Sequence, residues 1–440
     1  MAVQIAYERD DERDALASPT HGATHRATQT SAWGAVLALT LCVATLIASE
    51  FMPLSLLTPI ATDLRVTEGQ AGQAIAVSGV FALLTSLAIS GATRGIDRRR
   101  VLLALTVVML VSGLMVALAP NAAVFMAGRA LIGVVIGGFW SMSAATVMRL
   151  VPEADVPRAL GMLNGGNALA TTVAAPLGSF LGQYVGWRGA FFAVVPLALL
   201  TFGWLYASLP AMPSERGSGG GTVFRVLRRP QVPAGMAAVT VFFLGQFALY
   251  TYVRPFLETV TRVDVSTLSL ILLVTGVAGL FGTWLIGLAL RTRLYSLLIT
   301  MPLAMAAIAV ALTVLGGSAV AVGLLLAGWG LIATAAPVGW WTWVSKVLPD
   351  DAEAGGGLMV AVVQLAIALG ATAGGVLYDA SGYRSTFAIS ATALGVSALL
   401  AGLAWSTGRR NQVRVTDGGR RLEEVAPVGM PRNHEQRDAA

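Results

Sequence analysis

One carboxylate, Glu50, lies near the middle of an apolar run from Trp33 to Leu64 that is long enough to cross a bilayer. A charge at bilayer depth costs from about 2.5 to over 10 kcal/mol, so such an acid persists only inside a protein cavity. A later apolar run carries Arg129, which at 1.5 Å per residue lies about 10 to 15 Å from its start, a depth similar to that of Glu50. We therefore expect Glu50 and Arg129 to form a proton-coupling pair. The alternative is a buried ion pair that only orders helices.

A second polar group repeats every four residues. Gln246, Tyr250, Arg254 and Glu258 follow one another at this spacing, which places them on one face of a helix. The pattern predicts a stripe that lines a cavity, with a helix-packing seam as the alternative, and leaves Arg254 as either an outer gate or an ion pair at the rim. Polar and aromatic residues on other apolar runs complete the predicted substrate-binding set: Trp140, Asn164 and Gln364. Trp340, Trp341 and Trp343 instead resemble the aromatic belt at a membrane interface.

The same sequence excludes several kinds of chemistry. The single cysteine, Cys42, rules out an intramolecular disulfide and a cysteine-based metal site, and His21, His25 and His434 all lie in the polar ends of the chain. Lys346 is the one lysine and lacks the glycines of a P-loop, so no ATP-driven pump is expected. Neither HExxH nor GxSxG occurs. We therefore expect no enzyme, no metal and no cofactor, with the proton as the coupling ion.

The elements that must position these residues are membrane helices. The chain has 440 residues, of which 56% are apolar and 12% charged, about half of the roughly 25% charged residues of soluble proteins. Windows of about 20 apolar residues predict twelve spans. They begin near residues 33, 69, 101, 121, 159, 187, 232, 264, 295, 318, 355 and 383. The predicted fold is all-α, with twelve transmembrane helices in two pseudo-symmetric six-helix bundles.

The basic residues indicate how these spans are oriented. Most Lys and Arg lie in the tails and in the loops on one side of the predicted membrane. By the positive-inside rule, that side and both termini are cytoplasmic. Because the basic residues occupy short loops and form no single stripe, the partners expected are a lipid bilayer and a small-molecule substrate, without nucleic acid. The predicted location is the cell inner membrane. Four basic residues lie in loops on the opposite side of the predicted membrane: Arg65, Arg188, Arg262 and Arg384.

Internal repeats divide the chain into halves. GWRGAF at Gly186–Phe191 recurs as GYRSTF at Gly382–Phe387, and VPEAD at Val151–Asp155 recurs as LPDDA at Leu348–Ala352. Two parallel six-helix repeats with a site between them are the plan of many secondary transporters. The predicted organisation is a disordered tail, a bundle, a cytoplasmic linker, a second bundle and a polar tail, at 1–32, 33–209, 210–231, 232–407 and 408–440.

Several of these stretches resemble the major facilitator superfamily, in its twelve-helix drug:proton antiporter branch. EFMPLSLLTPIATDL from Glu50 is similar to the first helix of that branch, and RALIG from Arg129 to its helix 4 arginine motif. AAPLGSFLG, which contains Pro176, resembles its helix 5 antiporter motif, with alanine at 175 where glycine is usual. Asp97 and Arg98 match the charged pair of its loop 2–3 signature, although the customary glycine is missing after them. The resemblance implies gating or motif roles for Asp97, Arg98 and Pro176.

Within that branch the chain looks most like pumps that export purine ribonucleosides. The stretches that carry this likeness are GGFWSMSA, MRLVP, GQFALYTYVRP and PVGWWTW. The likeness implies export of inosine- and guanosine-class nucleosides in exchange for protons, by alternating access in a monomer. Export of sugars or neutral amphipathic drugs is the alternative, since a cationic drug would need a second membrane acid besides Glu50. A non-transporting sensor or scaffold is a remote alternative, because no sizeable soluble domain is evident.

Overall fold

The computed structural model describes residues 20–213, 226–229, 231–348 and 352–425, and its regular secondary structure there is helical. Numbered in chain order, the helices are α1 Thr20–Leu64, α2 Glu68–Ala92, α3 Arg98–Ala117, α4 Ala122–Leu150, α5 Val156–Phe192, α6 Val194–Ser208, α7 Val232–Tyr250, α8 Val253–Phe256, α9 Val265–Leu315, α10 Ala319–Val347, α11 Ala352–Ser381 and α12 Tyr383–Val425. A 3₁₀ turn, Glu153–Asp155, precedes α5, and a π-helical turn, Leu257–Thr261, follows α8.

Breaks inside the long helices give the predicted number of spans. The helical stretch Glu153–Ser208 has 56 residues, more than twice the roughly 20 that cross a bilayer. Gly186 breaks this stretch at φ 71°, a left-handed conformation that glycine adopts at little cost. In α9 the break falls at Arg293, between the apolar segments Val265–Leu290 and Arg293–Leu315. The described residues therefore confirm an all-α fold with twelve membrane spans.

The duplication predicted from the repeats is visible in the helix ends. Thr67 caps α2 and Asp264 caps α9, 197 residues later. Arg65 and Arg262, also 197 residues apart, both adopt left-handed backbone angles just before these caps. Gly186 and Gly382 occupy matching breaks with positive φ. The same local signals thus begin and end corresponding helices in both halves.

The halves pack against each other along two helix pairs, α2 with α11 and α5 with α9. We call the end of the bundle that holds the α1–α2 loop, Leu64–Thr67, the far end, and the end that holds Leu209 and Val232 the linker end. Between described residues, the hydrogen bonds that join the halves lie at the far end or near mid-depth. The structure is therefore closed at the far end.

The bundle boundaries differ from the prediction at both ends of the chain. The backbone of α1 is helical from Thr20, ahead of the boundary predicted at residue 33, and α12 continues to Val425, past the boundary at 408. No proline interrupts either polar extension, and each residue added to an existing helix gains a hydrogen bond without a new nucleation cost. The helices α1 and α12 therefore extend into the predicted N-terminal and C-terminal tails. Residues 1–19, 426–440 and most of the predicted linker lie outside the described residues, while α7 begins at Val232 as expected.

Candidate functional site

Arg129 is completely buried where α1, α2 and α4 meet. Its Nη1 donates to the carbonyl oxygen of Ser49 at 2.7 Å, its Nη2 to that of Glu50 at 2.9 Å, and its Nε to that of Ala74 at 3.2 Å. Pro53 explains the shortest of these bonds, because its ring nitrogen has no hydrogen to give to the carbonyl of Ser49 four residues earlier. The guanidinium therefore satisfies a buried acceptor that the helix itself leaves open.

Two glycines bring α4 close enough to α2 for this contact. A Cβ at Gly133 would lie 2.3 Å from the carbonyl oxygen of Ser78, and one at Gly137 would lie 2.2 Å from that of Ala82. Only small residues permit such close approach of two helix backbones. As a result the Ser78 hydroxyl also accepts from Arg129 Nη2, at 3.3 Å.

Glu50 is buried, with 4% of its surface exposed, and its carboxyl group faces the side chain of Gln364 on α11, in the other half. Glu50 and Arg129 act on each other electrostatically but do not form a side-chain ion pair. Between described residues the ion pairs are Arg188–Asp63 and Arg254–Glu258, and Arg129 bonds the main chain of Glu50 while acting on its carboxyl group only at longer range. The reason is that main-chain carbonyls and Ser78 already accept from the guanidinium.

The polar stripe predicted from Gln246 to Glu258 is interrupted. α7 ends at Tyr250, and Thr251 and Tyr252 form a turn before α8 begins. Gln246 is buried with no hydrogen-bond partner for its Oε1 among the described residues, and Tyr250 is partly buried against the core of the C-terminal half. Next to Gln246, the ring of Phe247 stacks on Phe51 of α1, with centroids 6.0 Å apart. Gln246 therefore lies where α7 contacts the N-terminal half.

Arg254 joins the two halves and is not a rim ion pair. It is 6% exposed, its Nε donates to Glu258 Oε1 at 2.8 Å, and its Nη1 donates to the carbonyl oxygen of Ser55 on α1. That carbonyl is open because Pro59, four residues later, has no N–H. The two prolines of α1 thus each leave a buried carbonyl that an arginine fills, one from each half.

Further polar contacts close the far end. The carboxylate of Asp379, near the end of α11, accepts from the hydroxyl of Thr67 at 2.6 Å and from the amide of Gly69 at 3.0 Å. One turn further in, the Thr372 hydroxyl donates to Gln73 Oε1 at 3.0 Å. Sequence reasoning missed these residues, since polar groups near a helix end do not reveal which helix they face.

The remaining predicted residues are more dispersed. Trp140 is partly buried against the core of the N-terminal half, edge-on to Phe139. Asn164 is exposed, and its side-chain amide donates to the carbonyl of Leu160 in its own helix at 3.0 Å. The structure does not show either side chain in contact with Glu50 or Gln364.

The motif residues have structural contacts of their own. Asp97 caps α3 by accepting from the amide of Arg99, and it also accepts from the amide of Met212 after α6, while the backbone N–H of Arg98 donates to the carbonyl of Met212. Pro176 is buried in α5. It frees the carbonyl of Thr172, which a Cβ at position 276 of α9 would approach to 2.6 Å.

Two repeated six-helix halves around a buried acid, with contacts that close one end, are the architecture of a secondary transporter. No group of three or more potential metal ligands occurs in the part of the chain described. The chain belongs to the Major Facilitator Superfamily, whose family model matches residues 38–364. It is accordingly a multi-pass membrane transporter of that family.

Comparison with individual proteins gives both sequence relatives and structural neighbours. The chain is 58% identical over 376 residues to the Pseudomonas aeruginosa protein named transcription regulatory protein OpdE, covering 84% of this chain and 94% of that relative. It is 41% identical over 368 residues to the purine ribonucleoside efflux pump NepI of Escherichia coli K12, covering 84% and 93%.

Among solved structures, a bacterial homolog of the human lysosomal transporter Spinster, in an inward-facing conformation, matches with a TM-score of 0.69 and 17% identity over 85% of this chain and 97% of the other. A D-xylose-proton symporter matches with a TM-score of 0.68 and 17% identity, over 84% and 97%. These structural matches support the fold.

Proposed function

We propose that the protein is a proton-coupled antiporter that exports purine ribonucleosides by alternating access. The observation that carries the proposal is the contact between Glu50 of one half and Gln364 of the other, buried at mid-depth. A carboxyl group in this position changes charge at the interface that must rearrange when the halves rock. Protonation or deprotonation of Glu50 therefore changes the interactions that are available to the two halves and to a bound solute.

The fixed position of Arg129 supports this role for Glu50. Because its guanidinium is held by main-chain carbonyls of α1 and α2, its positive charge stays near the carboxyl group in either protonation state. Arg129 thus offsets the charge of Glu50 without forming a bond that protonation must break. We propose that a proton from the outer side and the substrate from the inner side use the region around Glu50 in turn.

A neutral substrate fits the charges of the core. Among the described residues, the buried charged side chains are Glu50, Arg129 and Arg254, so no second buried acid is available to bind an organic cation. Among the described residues, the buried polar atoms without partners include the Oε1 atoms of Gln246 and Gln364 and the Nε1 of Trp329. A purine ribonucleoside offers complementary N–H and O–H donors and ring acceptors. The 41% identity to proteins named purine ribonucleoside efflux pumps favours this class over sugars or neutral amphipathic drugs.

The direction of transport depends on orientation. The excess of basic residues on the linker side supports cytoplasmic termini in a cell inner membrane. In that orientation the closed far end faces outward. We propose that the monomer is the transporting unit.

The test is uptake of radiolabelled inosine into inside-out vesicles with and without an imposed proton gradient, in the wild type and Glu50→Gln. The proposal predicts gradient-dependent uptake that the variant loses, while the variant still binds inosine. Absence of inosine uptake by correctly oriented wild-type protein would refute the purine assignment. Sugars or neutral amphipathic drugs would then be the candidate substrates. Unchanged coupling in Glu50→Gln would refute the role of the acid.

An effect on gene expression is a second candidate, favoured by the name of the 58% identical relative. In a chain whose described residues are membrane helices, their polar extensions and short connections, we propose that such an effect would arise indirectly, from the concentration of a transported solute. Glu50→Gln separates the two functions. A regulatory effect that persists at full strength when transport is lost would favour direct signalling by the membrane protein.

A further inference from the structure

Gln364 lies where the two halves cross beside the coupling acid. A Cβ at Gly79 of α2 would lie 2.9 Å from the carbonyl oxygen of Gln364, so α11 is in backbone contact with α2 at this point. The preceding residue, Ser78, accepts from Arg129. From here the Gln364 side chain extends toward the carboxyl group of Glu50 in the other half.

The chemistry of an amide and a carboxylate determines which Gln364 atom can donate to Glu50. An ionised carboxylate only accepts hydrogen bonds, so Gln364 must present its Nε2 to Glu50. Its Oε1 then points elsewhere, and this atom is buried, with no partner among the described residues. An unpaired buried acceptor is unfavourable enough that few occur in folded proteins without a reason. The geometry therefore indicates a ligand that donates a hydrogen bond to Gln364 Oε1.

We propose that Gln364 relays the protonation state of Glu50 to the bound substrate. With Glu50 ionised, Nε2 donates to the carboxylate and Oε1 accepts an N–H or O–H from the solute. With Glu50 protonated, its new O–H donates to Gln364 Oε1, so the acceptor is withdrawn from the substrate. One proton moves from water to the carboxylate and back in each cycle, and no other covalent bond changes.

This inference rests on the proposed function and narrows its substrate chemistry. The solute is a neutral molecule with an N–H or O–H donor for Oε1, as the N1–H of hypoxanthine or a ribose hydroxyl provides. Arg129 is the charged group that acts on Glu50 among the described residues. The other polar side chains at this crossing are uncharged: Ser78 on α2 accepts from Arg129, and Gln364 on α11 faces Glu50. Since Arg129 donates to the main chain, it leaves the carboxyl group to the amide.

The test is binding of inosine to the purified full chain at neutral and mildly acidic pH. The wild type is expected to bind more weakly as the pH falls. Gln364→Met should bind about five- to tenfold more weakly at neutral pH, the loss of one hydrogen bond, and its affinity should change by less than about twofold with pH. Gln246→Met is the matched control, because it also removes a buried amide with an unpartnered Oε1. It should weaken binding by a similar factor at both pH values.

Three results would overturn the inference. If Gln364→Met keeps the pH dependence of the wild type, Gln364 is not the relay, and the proposed function is untouched. If Gln246→Met loses the pH dependence as completely as Gln364→Met, the effect is not specific to the residue that bonds Glu50. If the wild type binds no inosine at either pH, the purine assignment fails and this inference fails with it. Should Gln364→Met not yield monodisperse protein, Gln364→Asn, whose amide is one methylene too short, is compared in the same way.

Discussion

Replacing Arg254 by glutamine should open the far end of the transporter. Its Nη1 bonds the carbonyl oxygen of Ser55 across the halves, and that carbonyl has no intrahelical partner because of Pro59. Glu258, the other partner of Arg254, is 23% exposed at its side chain and can be rehydrated when the arginine is lost. The principal effect of the substitution is therefore loss of the bond between the halves. Because only the closed state has this bond, only the closed state is destabilised.

The expected size follows from the type of bond. Hydrogen bonds to charged groups contribute about 1.5–3 kcal/mol, and about 1.4 kcal/mol corresponds to a tenfold change in an equilibrium. The ratio of open to closed far ends should therefore rise roughly 10- to 150-fold. Nitroxide labels at Thr62 and Ser266, exposed positions on opposite halves at this end, allow pulsed EPR to measure the two distance populations.

Two further variants make the experiment specific. Pro59→Ala restores an N–H for the carbonyl of Ser55 and should shift the populations in the same direction as Arg254→Gln, with the double variant less than additive. Arg188→Gln removes an ion pair with Asp63 within one half, where the side chains are 38% and 46% exposed, and should leave the distances unchanged. Equal behaviour of Arg254→Gln and Arg188→Gln would refute the reasoning.

Two other predictions concern a contact between the halves and a contact within one half. Asp379→Ala removes the acceptor of Thr67 and Gly69 and should open the same end more weakly than Arg254→Gln, by about fivefold or less because the site is exposed; a larger effect in the same EPR experiment would contradict this ranking. Gly330→Ala should lower the thermal unfolding temperature, by a destabilisation of about 1–3 kcal/mol, because its Cβ would lie 2.0 Å from the carbonyl oxygen of Thr275. Gly287→Ala is the control, with no atom within 4 Å of its Cβ, and an equal loss in both variants would contradict the packing argument.

The sequence predicted the spans and the residues at unusual depth, but not which groups they bond. Glu50 and Arg129 stand out because a charge in an apolar run is rare. Depth along a helix does not reveal rotation about it, so the sequence did not show that Arg129 donates to the main-chain carbonyls of Ser49 and Glu50. A usable signal was present in Pro53, because a proline within a membrane helix frees a carbonyl that another group must satisfy.

The stripe predicted from Gln246 to Glu258 is broken for a related reason. A spacing of four residues places side chains on one face only while the helix continues, and Pro255 has no N–H to give to the carbonyl of Thr251, where the helix breaks. The interfacial role predicted for Trp340 and Trp343 was also wrong, since both are buried. Gly235 leaves room for the ring of Trp343, since a Cβ at position 235 would lie 2.0 Å from that ring. Composition alone does not reveal which glycine faces which ring.

The central claim is that nucleoside and proton movements are coupled at Glu50. Its most direct test uses proteoliposomes without an initial pH difference, in which an imposed inosine gradient is the only driving force and an internal dye reports pH. The account predicts that inosine moving in one direction drives protons in the other in the wild type, and that Glu50→Gln shows no pH change. Inosine flux through the wild type with no proton movement, or equal proton movement in Glu50→Gln, would contradict it.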